Sequence, residues 1–236
     1  MNVKGVVLAG GTGSRLRPMT NVVNKHILPV YDKPVIYYPV ETLIESGIDD
    51  IMVISTPDDI GRYIRLLEED YEAEFRYRVQ KEPKGIADAL SLASDFVTDN
   101  VVVMLGDNII LDNLSEEFDK FQATDSSAKI FLKQVDKPAR YGVAKIEEGN
   151  ITSLVEKPEN PKSNYAVTGL YMYNSKVFDI IDSLEPSDRG ELEITDANEE
   201  LLDRESLDFE LIDSKWFDVG TPEGLFQASK YVRSQK

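Results

Sequence analysis

Residues Val6–Pro18 read VVLAGGTGSRLRP. An apolar run fit for a buried strand meets three glycines in four positions, Gly10, Gly11 and Gly13, with Arg15 and Arg17 close behind. Beyond Ala9 the segment offers a core almost nothing, so the glycines serve the close approach of something to the backbone. Backbone N–H groups in such a turn suit an anion, a helix N-terminus after it would add a favourable dipole, and guanidinium groups suit phosphate oxygens. Two nucleotide motifs are excluded. The Gly-Lys-Ser/Thr of a P-loop is missing, and Leu16 stands where the third glycine of a dinucleotide fingerprint belongs.

On either side of this stretch, short apolar runs alternate with amphipathic ones. VKGVVLA (Val3 to Ala9), DIMVIS (Asp50 to Ser55), FRYRV (Phe75 to Val79) and VVVMLGD (Val101 to Asp107) read as strands. Between them YYPVETLIESG, DDIGRYIRLLEED and IADALSLASDF carry apolar residues at helical spacing. Strand–helix–strand alternation implies crossover connections and a mainly parallel sheet covered on both faces, with ligands beyond the carboxyl ends of its strands. The glycine turn and the GDN at 106–108 both fall at such ends and are expected to face one site. After about residue 125 the rhythm changes to the strand-like AKIFLKQV, YGVAKIE, ITSLVE and YAVTGLYMYN. Helices near 175–184 and 195–204 follow, then a strand FELID and WFDVGTPEGLFQASKYV, where Thr221 caps a helix opened by Pro222 and Asp218 sits just before it. In YAVTGLYMYN the alternation puts Tyr171 and Tyr173 on one strand face, part of it core packing. No Pro/Gly/Ser linker and no repeat divides the chain, which reads as one α/β unit over 1–236.

Composition narrows the function. The 236 residues are 42% hydrophobic and 29% charged, as in globular proteins, and contain no cysteine, so disulfides and thiolate metal sites are excluded. A formal net charge of −17 argues against a nucleic-acid surface, which needs clustered Lys and Arg. The acidic excess is spread along the chain, as a solvated surface or as an adaptation to a salt-rich cytoplasm. No apolar run is long enough to span a membrane, and no charged-then-apolar leader opens the chain, so a cytoplasmic location is expected. Against this background the few basic residues beside glycines stand out.

LAGGTGSRLRP followed by NKHILPVYDKPVIYY resembles the sugar-1-phosphate nucleotidylyltransferases, and among them the glucose-1-phosphate thymidylyltransferases. RVQKEPKGIADAL, LGDNI, PARYGVAKIE, VEKPENPKSNYAVTGLYMYNSKVF, RGELEITDAN and WFDVGT continue that resemblance in order and spacing across nearly the whole chain. It implies a Rossmann-like α/β fold: a mixed, mainly parallel sheet with helices on both faces and an inserted sugar-binding β region. The nucleotide part would span about 1–125 and the sugar-binding, metal-completing part about 126–236. The implied reaction is Mg²⁺-dependent transfer from dTTP to glucose 1-phosphate, giving dTDP-glucose and pyrophosphate. Such a reaction needs charge neutralisation and alignment of two anions rather than a Ser-His-Asp set, which suits a chain with a single histidine. The resemblance places Arg15 and Lys25 on the reacting phosphates, and Asp107 and Asp218, expected to end strands of one sheet edge, on a shared Mg²⁺. Leu8, Gly10, Gly11, Gly13, Gln80, Pro83, Gly85 and Leu105, with Asp107, would hold the nucleotide. Gln80 has paired donor and acceptor groups for a pyrimidine imide edge. Tyr141, Gly142, Glu156, Lys157, Val167 and Tyr171 would hold the sugar phosphate, with Arg189 also lining the site.

Departures from the family pattern are Ser14 for a frequent threonine, Asn24 for a serine, His26 for a glutamine, and Val155 where a second glutamate is common. A lone histidine at 26 is expected to pack or hydrogen-bond locally, and Arg17 stays outside the catalytic set. The sequence ends soon after the helix that follows DVGT, whereas longer family members add helices that form an oligomer interface and a regulatory nucleotide site. The expectation is weak or absent feedback inhibition and a monomer or small homo-oligomer. Within the reaction class the alternatives are UTP or another hexose 1-phosphate as substrate. A non-catalytic nucleotide-sugar sensor is the alternative of a different class, against which the retention of both metal carboxylates speaks.

Overall fold

The computed structural model describes residues 3–236. Strand β1 (Val3–Ala9) is buried along nearly its whole length and lies between β4 (Asp50–Ser55) and β6 (Asn100–Leu105), parallel to both. The hairpin strands β2 (Pro29–Val30) and β3 (Lys33–Pro34) precede helix α1 (Tyr37–Glu45). Helix α2 (Ile60–Asp70) connects β4 to β5 (Glu74–Val79), and α3 (Ile86–Ser91) connects β5 to β6. The helical pattern expected through Phe96 stops at Ser91, and residues 92–96 continue as turns.

The second half joins the same sheet. After β7 (Asn108–Ile110) and α4 (Ser115–Gln122) come β8 (Ala128–Gln134), β9 (Gly142–Glu147), β10 (Asn150–Glu156) and the long β11 (Tyr165–Asn174). Helices α5 (Lys176–Ile181) and α6 (Ile194–Asp203), strands β12 (Leu207–Leu211) and β13 (Trp216–Asp218), and α7 (Pro222–Ser234) complete the chain. β11 runs antiparallel between β6 and β8, and β12 adds to β8. Only β10 and β11 oppose the direction of the other strands, so the sheet is mixed and mainly parallel, as the strand–helix rhythm implied.

Period-2 alternation sorts the side chains of β1, β4 and β6 onto two faces. Val6, Leu8, Met52, Ile54, Val101 and Val103 pack with α3, α5 and α6. Val7, Ile51, Val53, Val102 and Met104 pack with α1, α2 and α4. Tyr171 and Tyr173 share a face and stack at 5.9 Å, and Tyr173 donates to Asn198 Oδ1 (2.7 Å), so this half of the motif is core. α7 begins as expected, with Thr221 Oγ1 accepting from Gly224 N (3.2 Å), and closes a smaller cluster over Val30, Val35, Tyr38 and Ile109.

β11 forks on the side facing β6. Its first residues pair with β9 (Tyr165 with Ala144), its last with β6 (Leu170 with Met104), and the two partners diverge around Gly169. The site lies in that fork.

Candidate active site

The floor of the fork is the carboxyl end of β1. Gly106 N donates to Leu8 O (2.9 Å) and Ser55 Oγ to Ala9 O (2.9 Å), so the last carbonyls of the strand are satisfied before the glycine turn begins. The turn leads not into an α-helix but into a single 3-10 turn, Ser14–Leu16, and the first α-helix opens at Tyr37. The expected dipole assistance from a following helix is therefore missing, because Pro18 cannot supply the backbone N–H that a continuing helix would need. Cations take its place. Gly11 has φ +92°, and a Cβ there would stand 3.7 Å from Lys25 Nζ, so the ammonium hangs directly over the turn. Gly13 departs from expectation: it does not line the cavity, and instead turns the chain at φ +60° while its carbonyl accepts from Thr20 Oγ1 (2.8 Å).

Lys25 Nζ pairs with Asp107 Oδ2 at 2.5 Å, their side chains only 16% and 11% exposed. Burial pushes the Asp107 carboxyl up, but Lys25, His26 and the Asn108 amide together hold it well below the usual carboxylate range. Asp218 reaches the same place by another route. It ends β13, which pairs with β7 in a separate two-stranded ribbon (Asp218 opposite Asn108), and not a strand of the main sheet edge as expected. Val219 N donates to Asp107 O (3.0 Å), locking ribbon to sheet. A Cβ at Gly220 would lie 2.9 Å from Arg15 Nη2, 2.9 Å from Asp218 Oδ1 and 3.6 Å from Asp107 Oδ2, so these three groups surround one point. Arg140 Nη2 stands 3.5 Å from Asp218 Oδ2.

Asn108 holds the fork open. Its Oδ1 accepts from Gly169 N (3.0 Å) and Trp216 Nε1 (2.6 Å), and its Nδ2 donates to Asp107 Oδ1 (3.1 Å). A Cβ at 169 would collide with that amide at 2.5 Å, which is why the strand carries glycine where β6 and β9 part. Trp216 in turn packs edge-on against Tyr141, with ring centroids 5.1 Å apart. Burial first, and then the Asp218 charge, push the Tyr141 hydroxyl up to about 12, so it remains a donor at neutral pH.

On the β5 side, Gln80 is buried beside Gly10, Pro83, Gly85 and Leu105. On the β9–β10 side, Glu156 Oε1 pairs with Lys157 Nζ (2.7 Å), and its Oε2 accepts from Thr195 Oγ1 (2.6 Å). Lys157 adopts a left-handed backbone (φ +42°) fixed by its N–H to Tyr141 O (3.0 Å), a strained conformation of the kind that collects at ligand sites. Arg189 is gripped by Glu193 (2.6 Å) and Glu191 (2.9 Å). A cavity of about 310 Å³ joins both sides and is lined by every residue predicted from the sequence except Gly13. It holds five basic side chains (Arg15, Lys25, Arg140, Lys157, Arg189) against five acidic ones, in a chain with 26 basic and 43 acidic residues. The cavity is thus a locally cation-rich place on an acidic protein.

Asp107 and Asp218 are the candidate metal ligands, and among the described residues no three His, Asp or Glu side chains converge into a cage. Asp218 Oδ1 and Asp107 Oδ2 stand around one point in the cavity wall, a carboxylate pair that fits Mg²⁺, which keeps waters and takes substrate phosphates as further ligands.

The nucleotidyl transferase family model matches residues 4–235. The chain belongs to the nucleotidyl transferase family. This transferase is 44% identical to the glucose-1-phosphate thymidylyltransferase of Mycolicibacterium smegmatis over 239 residues, covering 98% of the chain and 83% of the relative. It is equally identical, 44%, to the low-salt glycan biosynthesis nucleotidyltransferase Agl11 of Haloferax volcanii, covering 99% and 67%. Among solved structures, that of a protein assigned as a glucose-1-phosphate thymidylyltransferase from Bacillus anthracis, in complex with sucrose, superposes with a TM-score of 0.93 at 46% identity over 98% of this chain and 95% of that one. UDP-glucose pyrophosphorylase bound to UDP-glucose superposes with a TM-score of 0.86 at 27% identity over the full length of both.

The transferase also carries cavity residues that the sequence reading left without a role: Asn108, Arg140, Thr195 and Trp216. Each lies inside a quoted motif (LGDNI, PARYGV, RGELEITDAN, WFDVGT), so the signal was present, but only the fork shows what the side chains touch. His26, by contrast, is packed as expected. It is buried, with Nδ1 2.8 Å from Asn24 Oδ1 and 3.3 Å from the Tyr63 hydroxyl.

Proposed function

We propose that the enzyme transfers a thymidylyl group from dTTP to glucose 1-phosphate with Mg²⁺, giving dTDP-glucose and pyrophosphate. The observation that carries this reading is one cavity in which the Gln80 side and the Glu156 side meet at Arg15, Lys25, Asp107 and Asp218. The names borne by the similar proteins supply the substrate pair.

In this reading the triphosphate lies along the Gly10–Gly11 turn, and an oxygen of the sugar phosphate attacks the α-phosphorus. The new P–O bond forms as the bond to the β-phosphate oxygen breaks, and pyrophosphate carries away that electron pair. The nucleophile is already anionic, so no side chain has to remove a proton. The work left to the protein is to bring two anions together and stabilise the charge spread over the phosphorus in transit. Lys25 supplies positive charge there from a side chain of low exposure, which strengthens it, and the more exposed Arg15 adds a second cation. Asp107 and Asp218 would hold Mg²⁺, whose contribution when bound is to neutralise phosphate charge and align the leaving group. Lys157 and Arg189 face the incoming sugar phosphate, and Glu156, oriented by Thr195, accepts from sugar hydroxyls.

The test is competition. Product analysis after incubation with equimolar dTTP and UTP, Mg²⁺ and a set of hexose 1-phosphates is expected to give dTDP-glucose as the main product. UDP-sugar as the main product, or a different hexose preferred, would overturn the substrate assignment.

A further inference from the structure

Among the described residues Gln80 carries the one side-chain amide on the base side of the cavity, and an amide is chemically ambiguous until something fixes its orientation. Here two acceptors do so. Gln80 Nε2 donates to Gly85 O (3.2 Å) and to Asp88 Oδ2 (2.7 Å), so both amide protons are committed. Oε1 accepts no hydrogen bond from the described residues and lies 3.2 Å from where a Cβ would stand on Gly10, which lines the cavity at the end of β1. Turning the amide over would press Oε1 against a carboxylate and a carbonyl with no proton between them. The carboxylate decides the matter, because its bond is the shorter and carries a full charge.

We propose that Asp88 is a specificity-determining positioning residue: by holding the Gln80 amide it leaves only an acceptor facing the base. The inference rests on the nucleotide reading above and deepens it. An acceptor at that point receives the ring N–H of an imide base, thymine or uracil. Cytosine presents a bare ring nitrogen there, so two acceptors would meet and the buried Gln80 oxygen would stay unpaired. Sites built around a required hydrogen bond reject the mismatched analogue strongly, because the protein group is left desolvated without a partner. Asp88 lies on the first turn of α3, eight positions from Gln80, and does not line the cavity; it acts through the amide.

The test compares kcat/KM for dTTP and dCTP, with glucose 1-phosphate and Mg²⁺, in the unmodified enzyme, Asp88→Asn and Asp88→Ala. Asparagine offers Gln80 either an oxygen or an NH₂, and alanine removes the charged acceptor, so in both variants only the longer bond to Gly85 O still opposes a turn of the amide. The dTTP:dCTP ratio is expected to fall at least about 10-fold in both variants, while the KM for glucose 1-phosphate stays within twofold. Equilibrium binding of dTTP and dCTP should shift in the same sense. A merely structural Asp88 would lower both activities together, and dTTP turnover with an unchanged ratio in both variants would overturn the proposal. Neither turnover nor dTTP binding in the unmodified enzyme would remove the nucleotide reading itself, and this proposal with it.

Discussion

Gly85 and Gly47 both have positive φ, and comparing them separates backbone strain from lost space. Gly85 sits at φ +107° and ψ 173°, a region essentially reserved for glycine, where any other residue costs about 1–3 kcal/mol. An added Cβ would also lie 2.3 Å from Leu192 O and 2.8 Å from Leu192 N. Carbon and carbonyl oxygen settle at about 3.3–3.6 Å, so the Leu192 backbone must withdraw by roughly 1 Å. That backbone is zipped to the glycine loop by Leu192 N to Lys84 O (2.7 Å) and Ala87 N to Leu192 O (3.2 Å). Its neighbours Glu191 and Glu193 line the sugar side of the cavity, so Gly85→Ala reaches both substrates. Gly47 (φ +80°) follows α1, and its added Cβ would meet nothing within 4 Å, so Gly47→Ala costs strain alone, about 1–2 kcal/mol. At about 2–4 °C per kcal/mol for a chain of this size, Gly47→Ala should lose a few degrees of Tm and no activity. Gly85→Ala should lose at least about twice as much Tm, since overpacking adds its own 1–3 kcal/mol or so. Its kcat/KM should fall roughly 10- to 100-fold for nucleotide and sugar phosphate alike, as expected for a displacement near 1 Å. Thermal denaturation and initial rates on both variants decide it. Matching losses of Tm with unchanged kinetics in Gly85→Ala would refute the argument.

Three further outcomes follow from the geometry. Lys25→Met removes the cation over the glycine turn and should lower kcat/KM at least about 100-fold, while binding of glucose 1-phosphate, measured by calorimetry, changes little. His26 is held at about 3, by burial first and then by the Lys25 charge, against an ordinary value of 6.5. The native state therefore takes up no proton there while the unfolded chain does, so its contribution is full above pH 6.5 and is lost as pH falls toward 3. At pH 5 the loss is about 2 kcal/mol, and His26→Gln should flatten the decline in urea-unfolding stability between pH 7 and 5 by that amount; parallel curves would contradict it. Lys157→Gly relieves a left-handed lysine worth about 1–2 kcal/mol and should leave Tm level or higher. The same change should raise the KM for the sugar phosphate at least about 10-fold, because the loss of a charged partner is worth some 1.5–3 kcal/mol.

The parallel half of the fold was legible because β1, β4 and β6 are mostly apolar runs flanked by amphipathic helices, and those patterns report burial directly. The ribbon of β7 and β13 was not, because three residues are too few to show a period; Asp218 was placed correctly beside Asp107 but on the wrong sheet. Helix α4 went unread because SEEFDKFQ offers only Phe118 and Phe121 as an apolar stripe among charges. The short 3-10 turn after the glycines was masked by the expectation that such a loop opens a helix. Residues that line the cavity were legible where a motif fixed them, whereas partnerships such as Asn108 with Gly169, or Asp88 with Gln80, depend on which side chains the folded backbone brings within reach. Sequence spacing carries no trace of those.

The proposed reaction requires one cavity to couple a nucleoside triphosphate to a sugar phosphate with Mg²⁺ held between Asp107 and Asp218. Pyrophosphate release tests it most directly, measured with dTTP, glucose 1-phosphate and Mg²⁺ together and with each left out in turn. Release, matched one for one by nucleotide sugar, is expected only when all three are present, and should collapse in Asp107→Asn and Asp218→Asn. Release without the sugar phosphate, or release that survives loss of both carboxylates, would contradict it.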